Sequence, residues 1–254
     1  MLNVCSLRKV VFIFPLLLLC FVSCQSDRIR QELLAVETYL NAEPERALRV
    51  LDSMDVEDLR GRRDRAHYAL LKSMALDKNY IDLTSDSLIA PAVAYYSRHG
   101  TADEKMKAYY YQGRVYQNAG EDDKAILCFA AAESQMSKTA EHRMKGLVYM
   151  AMRHTYDKRY CREEEKRCLD LGLNEFLLAN DTLQYQIAQI DVAKYYQSID
   201  LWSQADSVYE SLPVHQMHKY VVQDYYVNYA LNNLIYKRQN EKYVIKKRNA
   251  TKAI

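Results

Sequence analysis

One stretch of the chain, from Tyr109 to Ala132, constrains the fold more than any other. It reads YYYQGRVYQNAGEDDKAILCFAAA, with a break at Gly120. Its small and aromatic residues are spaced so that they share one face of each of two helices: Gly113, Tyr116, Ala125, Phe129 and Ala132. The small residues let two helix backbones approach closely, and the aromatic rings fill the space between neighbouring helices. The stretch therefore predicts a pair of antiparallel amphipathic helices.

The same spacing returns with a period of 40 residues. Three columns follow this period: Tyr116, Tyr156 and Tyr196; then Ala125, Glu165 and Ala205; then Phe129, Leu169 and Tyr209. The fourth pair departs most from the pattern, because Arg153 stands at the Gly113 position and Glu165 at the Ala125 position. Together with less regular pairs before Thr101, the period predicts five helical hairpins.

Local signals mark where the helices begin and end. Thr101 with Glu104, and Asp181 with Gln184, predict two helix starts. Pro44 suits a first helical turn, and Pro91 should kink the second helix of its hairpin or delay its start. After Pro213, residues 213–236 read as one amphipathic helix that caps the last hairpin through Tyr220, Val221, Tyr225, Tyr229 and Leu231.

Residues 1–23 predict a secretory signal peptide. Arg8 and Lys9 precede an apolar run from Val10 to Val22 that would span about 20 Å as a helix, less than the roughly 30 Å of a bilayer core. Phe21-Val22-Ser23-Cys24 resembles the lipobox of bacterial lipoproteins. The resemblance implies fatty acylation of Cys24, for example by palmitate, and a location in the cell envelope, facing the periplasm or cell surface. Plain signal cleavage and an uncleaved anchor are the alternatives.

Charge argues against a nucleic-acid partner. The chain has 35 Lys and Arg and 33 Asp and Glu, and the excess of two is Arg8 and Lys9 in the leader. A nucleic-acid interface requires a basic surplus spread over one face, which the remainder does not have. Residues 237–254 form a basic tail with seven Lys and Arg and one Glu, interpreted as a frayed helix end or a flexible extension.

The reactive side chains do not form a recognisable catalytic or metal-binding set. Cys128, Cys161 and Cys168 are interpreted as buried structural thiols, and a lone pair of histidines, His215 and His218, is a weak metal signal. The sequence shows no Ser-His-Asp order and no glycine-rich phosphate loop. We therefore expect a protein that is not an enzyme and has no cofactor and no metal.

These motifs and the 40-residue period resemble those of tetratricopeptide-repeat (TPR) lipoproteins. The resemblance covers roughly residues 27–212, within a predicted repeat domain of residues 24–212, and it implies an all-α, right-handed solenoid of about five hairpins. More narrowly, the chain is similar to the extracytoplasmic repeat regions of bacterial sensor and regulator proteins.

In the TPR family the first helix of each hairpin lines a concave groove that binds peptides. The groove positions carried over by the resemblance are Arg114, His154 and Lys194, with Gln117, Asp157, Gln197 and Tyr110. The alternative is that these are ordinary solvent-exposed polar positions. In both interpretations Arg114 and Lys194 are expected to be exposed. The resulting hypothesis is a lipid-anchored scaffold that binds an unknown protein or peptide. A sensor component of a signalling system and a glycan-transport lipoprotein are the other candidates.

Overall fold

The computed structural model describes the backbone of residues 28–59 and 61–252, and their side chains except Lys237 and residues 239–252. Within these residues the regular structure is helical, without a strand. The predicted leader with Cys24 lies outside the described residues. The eleven α-helices of the described chain are α1 (28–39), α2 (Pro44–Ser53), α3 (Arg62–Lys78), α4 (Ala90–His99), α5 (Ala102–Asn118), α6 (Asp122–Glu133), α7 (His142–Lys158), α8 (Arg162–Leu178), α9 (Thr182–Ser198), α10 (Trp202–Ser211) and α11 (Lys219–Lys252).

The chain divides into two compact units, one ending at Thr139 and the other beginning at Ala140. In unit 1 consecutive helices pack against each other from α2 to α6, and α3 also packs against α5. In unit 2 the same arrangement runs from α7 to α11, and α9 also contacts α11. The predicted all-α class and the pairing of consecutive helices are confirmed.

The residues of the Tyr109–Ala132 stretch make the contacts that their spacing predicts. Ala125, Phe129 and Ala132 are fully buried on α6. A Cβ atom at Gly113 would lie 2.4 Å from Cε1 of Phe129, so only glycine allows α5 and α6 to approach this closely. Tyr116 is half-buried and its hydroxyl donates to Asp86 at 2.7 Å.

The 40-residue period reappears in the backbone at the ends of α3, α5, α7 and α9. Each of these helices is followed by one residue in the left-handed region, and the four are Tyr80, Gly120, Tyr160 and Asp200. The next amide donates back to the helix, for example from Glu121 to the Tyr116 carbonyl at 2.8 Å and from Cys161 to the Tyr156 carbonyl at 3.0 Å. This bond satisfies a carbonyl that the helix end leaves open. One turn type therefore ends these four helices.

The predicted helix starts are also found. Thr101 and Glu104 form a complete capping box, and Asp181 accepts from the Gln184 amide at 3.1 Å. Pro91 delays its helix, which starts at Ala90 with proline in the first turn. None of the described helices is both long and apolar enough to cross a membrane.

Helix α11 differs from the predicted cap in its bounds and in the face it buries. It runs from Lys219 to Lys252 without a break at residue 236, and a short 3₁₀ helix precedes it at Val214–Gln216. Val221 and Tyr225 are buried in the core of unit 2, as expected for a cap. Tyr220 and Leu231 instead face solvent, because they lie on the opposite side of the helix.

Candidate functional site

The groove positions predicted in unit 1 are occupied by contacts within the protein. Arg114 on α5 is half-buried, and its Nε donates to Oδ1 of Asp77 on α3 at 3.1 Å. Its Nη1 donates to Oε1 of Gln117 at 2.6 Å, and Gln117 itself is buried. Tyr110 is also buried, with its ring 6.1 Å from that of Phe129. These three residues hold α5 in place.

The positions predicted in unit 2 behave in the same way, with one exception. Lys194 on α9 is half-buried and donates to Oδ2 of Asp224 on α11 at 2.7 Å. Gln197 donates to the Asn228 carbonyl of α11 at 3.2 Å, and Asp157 accepts from Arg162 at 2.8 Å. His154 is the exposed member of the set.

The expectation that Arg114 and Lys194 are exposed is therefore wrong. Arg114 faces Asp77 on α3, and Lys194 faces Asp224 on α11. Each carboxylate belongs to a neighbouring helix of the same unit. A half-buried cation in that position pairs with the carboxylate rather than remaining solvated. Their role in binding a peptide stays a prediction, and substitution at either position would also break a contact between helices.

A different concave site lies in unit 1, and we call it the unit-1 cleft. It encloses a cavity of about 180 Å³. Helices α1, α3 and α5, which are the first helices of successive pairs, supply most of its walls. The lining residues are Arg30, Leu34 and Glu37 from α1; Arg63, Asp64, His67 and Leu70 from α3; Tyr96 from α4; and Glu104 and Lys107 from α5.

Ion pairs between helices fix the walls of the cleft. Arg30 on α1 binds both carboxylate oxygens of Asp64 on α3, at 3.0 and 3.2 Å. Glu37 on α1 accepts from His67 on α3 at 3.0 Å and lies 3.9 Å from the Lys107 ammonium on α5. The hydrogen bond from His67 lowers the pKa of Glu37, so this carboxylate is charged at neutral pH.

Other groups of the cleft remain open to a ligand. Arg63 is exposed, and within the described residues it forms no ion pair. Leu34 has 51% of its surface exposed at the rim, whereas Leu70 and Tyr96 are buried beneath. An apolar floor between charged groups of both signs suits a ligand that has apolar side chains as well as polar groups.

Sequence reasoning missed this cleft, although a signal for it was present. His67 and Lys107 are 40 residues apart, and so are Asp64 and Glu104. Lys107 precedes Arg114 by seven residues, which is two helical turns and places both on one face of α5. Counting seven residues back from Arg114 leads to Lys107, and counting 40 residues back from Lys107 leads to His67. Both residues line the cleft.

The irregular fourth hairpin contains a buried ionic cluster, formed by Arg153, Arg162, Glu165 and Asp191. Glu165 on α8 is 1% exposed, and its Oε1 lies 3.7 Å from Nε of Arg153 on α7. Its other oxygen accepts from Arg162 at 2.6 Å, and Arg153 also lies 3.8 Å from Asp191 on α9. The small residues of the third and fifth hairpins are thus replaced here by paired charges. Burial raises the pKa of both Glu165 and Asp191, against the opposing effect of these arginines.

The three cysteines of the described chain are free thiols, with Cys168 buried, Cys128 half-buried and Cys161 exposed. The interpretation of all three as buried thiols is therefore wrong for Cys161, which lies in the turn before α8. Burial and the nearby Asp86 raise the pKa of Cys128 to about 11, which makes it a poor nucleophile at neutral pH. No group of three or more His, Cys, Asp or Glu within the described residues is arranged to hold a metal ion.

Comparison with known proteins adds no family to this description, since the sequence matches no protein-family model and no curated protein.

Proposed function

We propose that the chain is a non-enzymatic, TPR-like scaffold that binds a protein or peptide segment in the unit-1 cleft and is held in the bacterial cell envelope by lipid on Cys24. The observation that carries the proposal is the composition of the cleft. Three successive first helices contribute charged groups of both signs above a buried apolar floor. A peptide segment offers the same mixture of apolar side chains, charges and hydrogen-bonding groups.

The rigidity of the cleft supports recognition of a partner. Arg30, Asp64, Glu37 and His67 already pair with each other across α1 and α3. A ligand therefore meets walls that are held in place before binding, which lowers the ordering cost of association. Arg63 remains available for an acidic group of the partner, and Leu34 for an apolar side chain.

Two observations support the TPR-like form of the scaffold. The left-handed residues that end α3, α5, α7 and α9 recur every 40 residues. A glycine–phenylalanine contact also joins α7 and α8 in unit 2, where a Cβ at Gly146 would lie 2.5 Å from the ring of Phe176, but this contact is seven residues out of the 40-residue register. The repeated turn belongs to arrays in which each hairpin is a variant of one unit, and the glycine–phenylalanine contact shows the same kind of close helix pairing in both units.

The proposed anchor rests on the sequence Phe21-Val22-Ser23-Cys24 after an apolar run. A lipid on Cys24 would place the helical units close to a membrane and would leave α1, which is described from residue 28, near the anchor. We therefore propose that the protein is anchored to a membrane by this lipid and lies outside the cytoplasm.

Peptide selection followed by charge reversal at the cleft tests the binding function. Random peptides displayed on phage are selected on the full chain, and the affinity of enriched peptides is measured by fluorescence anisotropy. The cleft variant carries Arg63→Glu. The matched control carries Arg98→Glu, which makes the same charge change at an exposed position on α4.

We expect enriched peptides to contain acidic residues and to lose at least about tenfold in affinity with the cleft variant. The control variant should change the affinity by less than about threefold, since long-range charge effects are screened by salt. Equal losses in both variants would contradict binding in the cleft. Failure of any peptide to be enriched would contradict the proposed function itself.

A further inference from the structure

Helix α11 has two apolar faces, and within the described residues only one of them is buried. Its inner face contributes Val221 and Tyr225 to the core of unit 2. Its outer face carries five large apolar side chains that are 48–73% exposed: Tyr220, Tyr226, Val227, Leu231 and Leu234. The outer face therefore presents an apolar surface to solvent, and we call these five residues the outer stripe.

The outer stripe is more than a scatter of single exposed residues. Tyr220, Val227, Leu231 and Leu234 follow each other at spacings of seven, four and three, so they share one side of the helix. The face of a surface helix that meets water is normally polar. A contiguous apolar stripe at this place is typical of an interaction surface.

Charge along α11 shows what kind of surface would cover the stripe. The helix continues past the stripe to Lys252, and residues 237–252 hold seven Lys and Arg against Glu241 alone. The chain between the leader and this segment carries the compensating excess of acidic residues. On this one helix the apolar residues of the outer stripe are followed by a basic segment, whereas the rest of the chain after the leader is acidic.

We infer that α11 lies on the surface of a bilayer that contains anionic phospholipids. The outer stripe would enter the boundary between headgroups and acyl chains, and the basic segment would bind the lipid phosphates. The acidic remainder of the chain would be repelled by the same surface, so α11 would be the part of the helical units that docks. A second copy of the chain is a poorer occupant, since it would bring another basic segment to the same contact.

The inference uses residues that neither the unit-1 cleft nor the lipid on Cys24 involves. If both contacts exist, the N-terminal lipid and α11 hold the protein at two points, and binding through two linked sites is tighter than through either alone. Loss of peptide binding would leave membrane docking intact, and the converse also holds. The two proposals therefore fail in separate experiments.

Tryptophan quenching by brominated lipids tests the docking. The full chain has one tryptophan, so Trp202→Phe removes the background and Leu231→Trp places a single probe in the outer stripe. The control probe is Leu127→Trp on α6, a position that is 71% exposed and lies in the other unit. Both proteins are titrated with vesicles of brominated phosphatidylcholine, with and without an anionic lipid, phosphatidylglycerol, at about a third of the total.

We expect quenching of the probe at position 231 on anionic vesicles only, with loss of the effect at high salt, and no quenching of the probe at position 127. Replacing Lys246, Lys247 and Arg248 by Gln should weaken partitioning about tenfold or more, since each basic residue near an anionic surface contributes to binding. Equal quenching of the two probes would overturn the inference. So would an unquenched probe at position 231 on anionic vesicles, and sedimentation as a dimer would then show that a second copy covers the stripe.

Discussion

The buried cluster of Arg153, Glu165, Asp191 and Arg162 gives a sharp test of how the irregular hairpin is stabilised. The perturbation is Arg153→Met, which keeps much of the side-chain volume and removes the charge. The Arg153 side chain is 12% exposed and that of Glu165 is 1% exposed, so both carboxylates near Arg153 lie largely out of water. Removing the cation leaves them with fewer compensating charges.

The size of the effect follows from the distances. At 3.7 Å and an effective dielectric constant of about 20, one pair of unit charges interacts by about 4.5 kcal/mol before desolvation is counted. Breaking a buried pair by removing one partner typically costs about 3 to 5 kcal/mol. Glu165 keeps its hydrogen bond with Arg162 at 2.6 Å, so we expect the low end, about 3 kcal/mol.

A double-mutant cycle separates the ionic contribution from packing. Glu165→Gln removes the second charge, and the double variant should be destabilised by at least about 1 kcal/mol less than the sum of the two single variants. Trp202 lies on α10 in unit 2, so its fluorescence during urea unfolding reports on the unit that contains the cluster. Lys166→Met on α8, whose ammonium pairs with the exposed Asp170 at 2.6 Å, is the control and should change stability by less than about 0.5 kcal/mol. Additive costs in the cycle would refute the pairing of these charges.

The same cluster predicts a dependence on pH. Burial raises the pKa of Glu165 above its ordinary value of 4.5. In the interval above 4.5, the folded chain therefore retains a proton that the unfolded chain releases. Folding stability in this interval increases as the pH falls and decreases as it rises. Glu165→Gln should flatten this slope, and an identical slope in the variant and the unsubstituted protein would contradict the raised pKa.

Three further predictions address the turns, the helix contacts and the anchor. Gly113→Ala should destabilise unit 1 by about 1 to 3 kcal/mol, because the new Cβ would meet the buried Phe129 ring at 2.4 Å. Thermal unfolding followed by circular dichroism measures this, and an unchanged melting temperature would show that α5 and α6 are not this close. Tyr80→Gly should stabilise the same unit by about 0.5 to 1 kcal/mol, because Tyr80 has a φ of 58° and this left-handed backbone conformation is strained for tyrosine. Destabilisation would mean that the 94% exposed ring makes a stabilising contact. Cys24→Ala should abolish incorporation of a fatty-acid analogue in cells and leave an unprocessed precursor; undiminished labelling would contradict lipidation at Cys24.

The sequence predicts the helices of this protein well because their signals are local. The proline at position 91, the cap at Thr101 and the small residues at Gly113 and Ala125 each act within one helix or one hairpin. The periodic columns add the pairing of helices, since each hairpin repeats the contacts of another. These signals depend on spacing along the chain and need no knowledge of distant partners.

The sequence predicts the site poorly because the state of a polar side chain depends on its neighbours across helices. The repeat spacing predicts an exposed Arg114, but Asp77, on a helix of the preceding pair, neutralises it. Arg153 and Glu165 each look unfavourable alone at small-residue positions and are explained only as a pair. The periodicity of α11 marks Tyr220 and Leu231 as apolar without showing which of its two faces is covered.

Crosslinking from the unit-1 cleft is the most direct test of the proposed binding function. A photoreactive benzoylphenylalanine replaces Leu34, which is 51% exposed at the rim of the cleft, and Leu127 on α6 serves as the matched exposed position. A peptide selected on the protein is added and the sample is irradiated. If the cleft binds peptides, the peptide should crosslink at position 34 and be displaced by excess unlabelled peptide, with no crosslink at position 127. Crosslinking at position 127 alone, or equally at both positions, would contradict binding in the cleft.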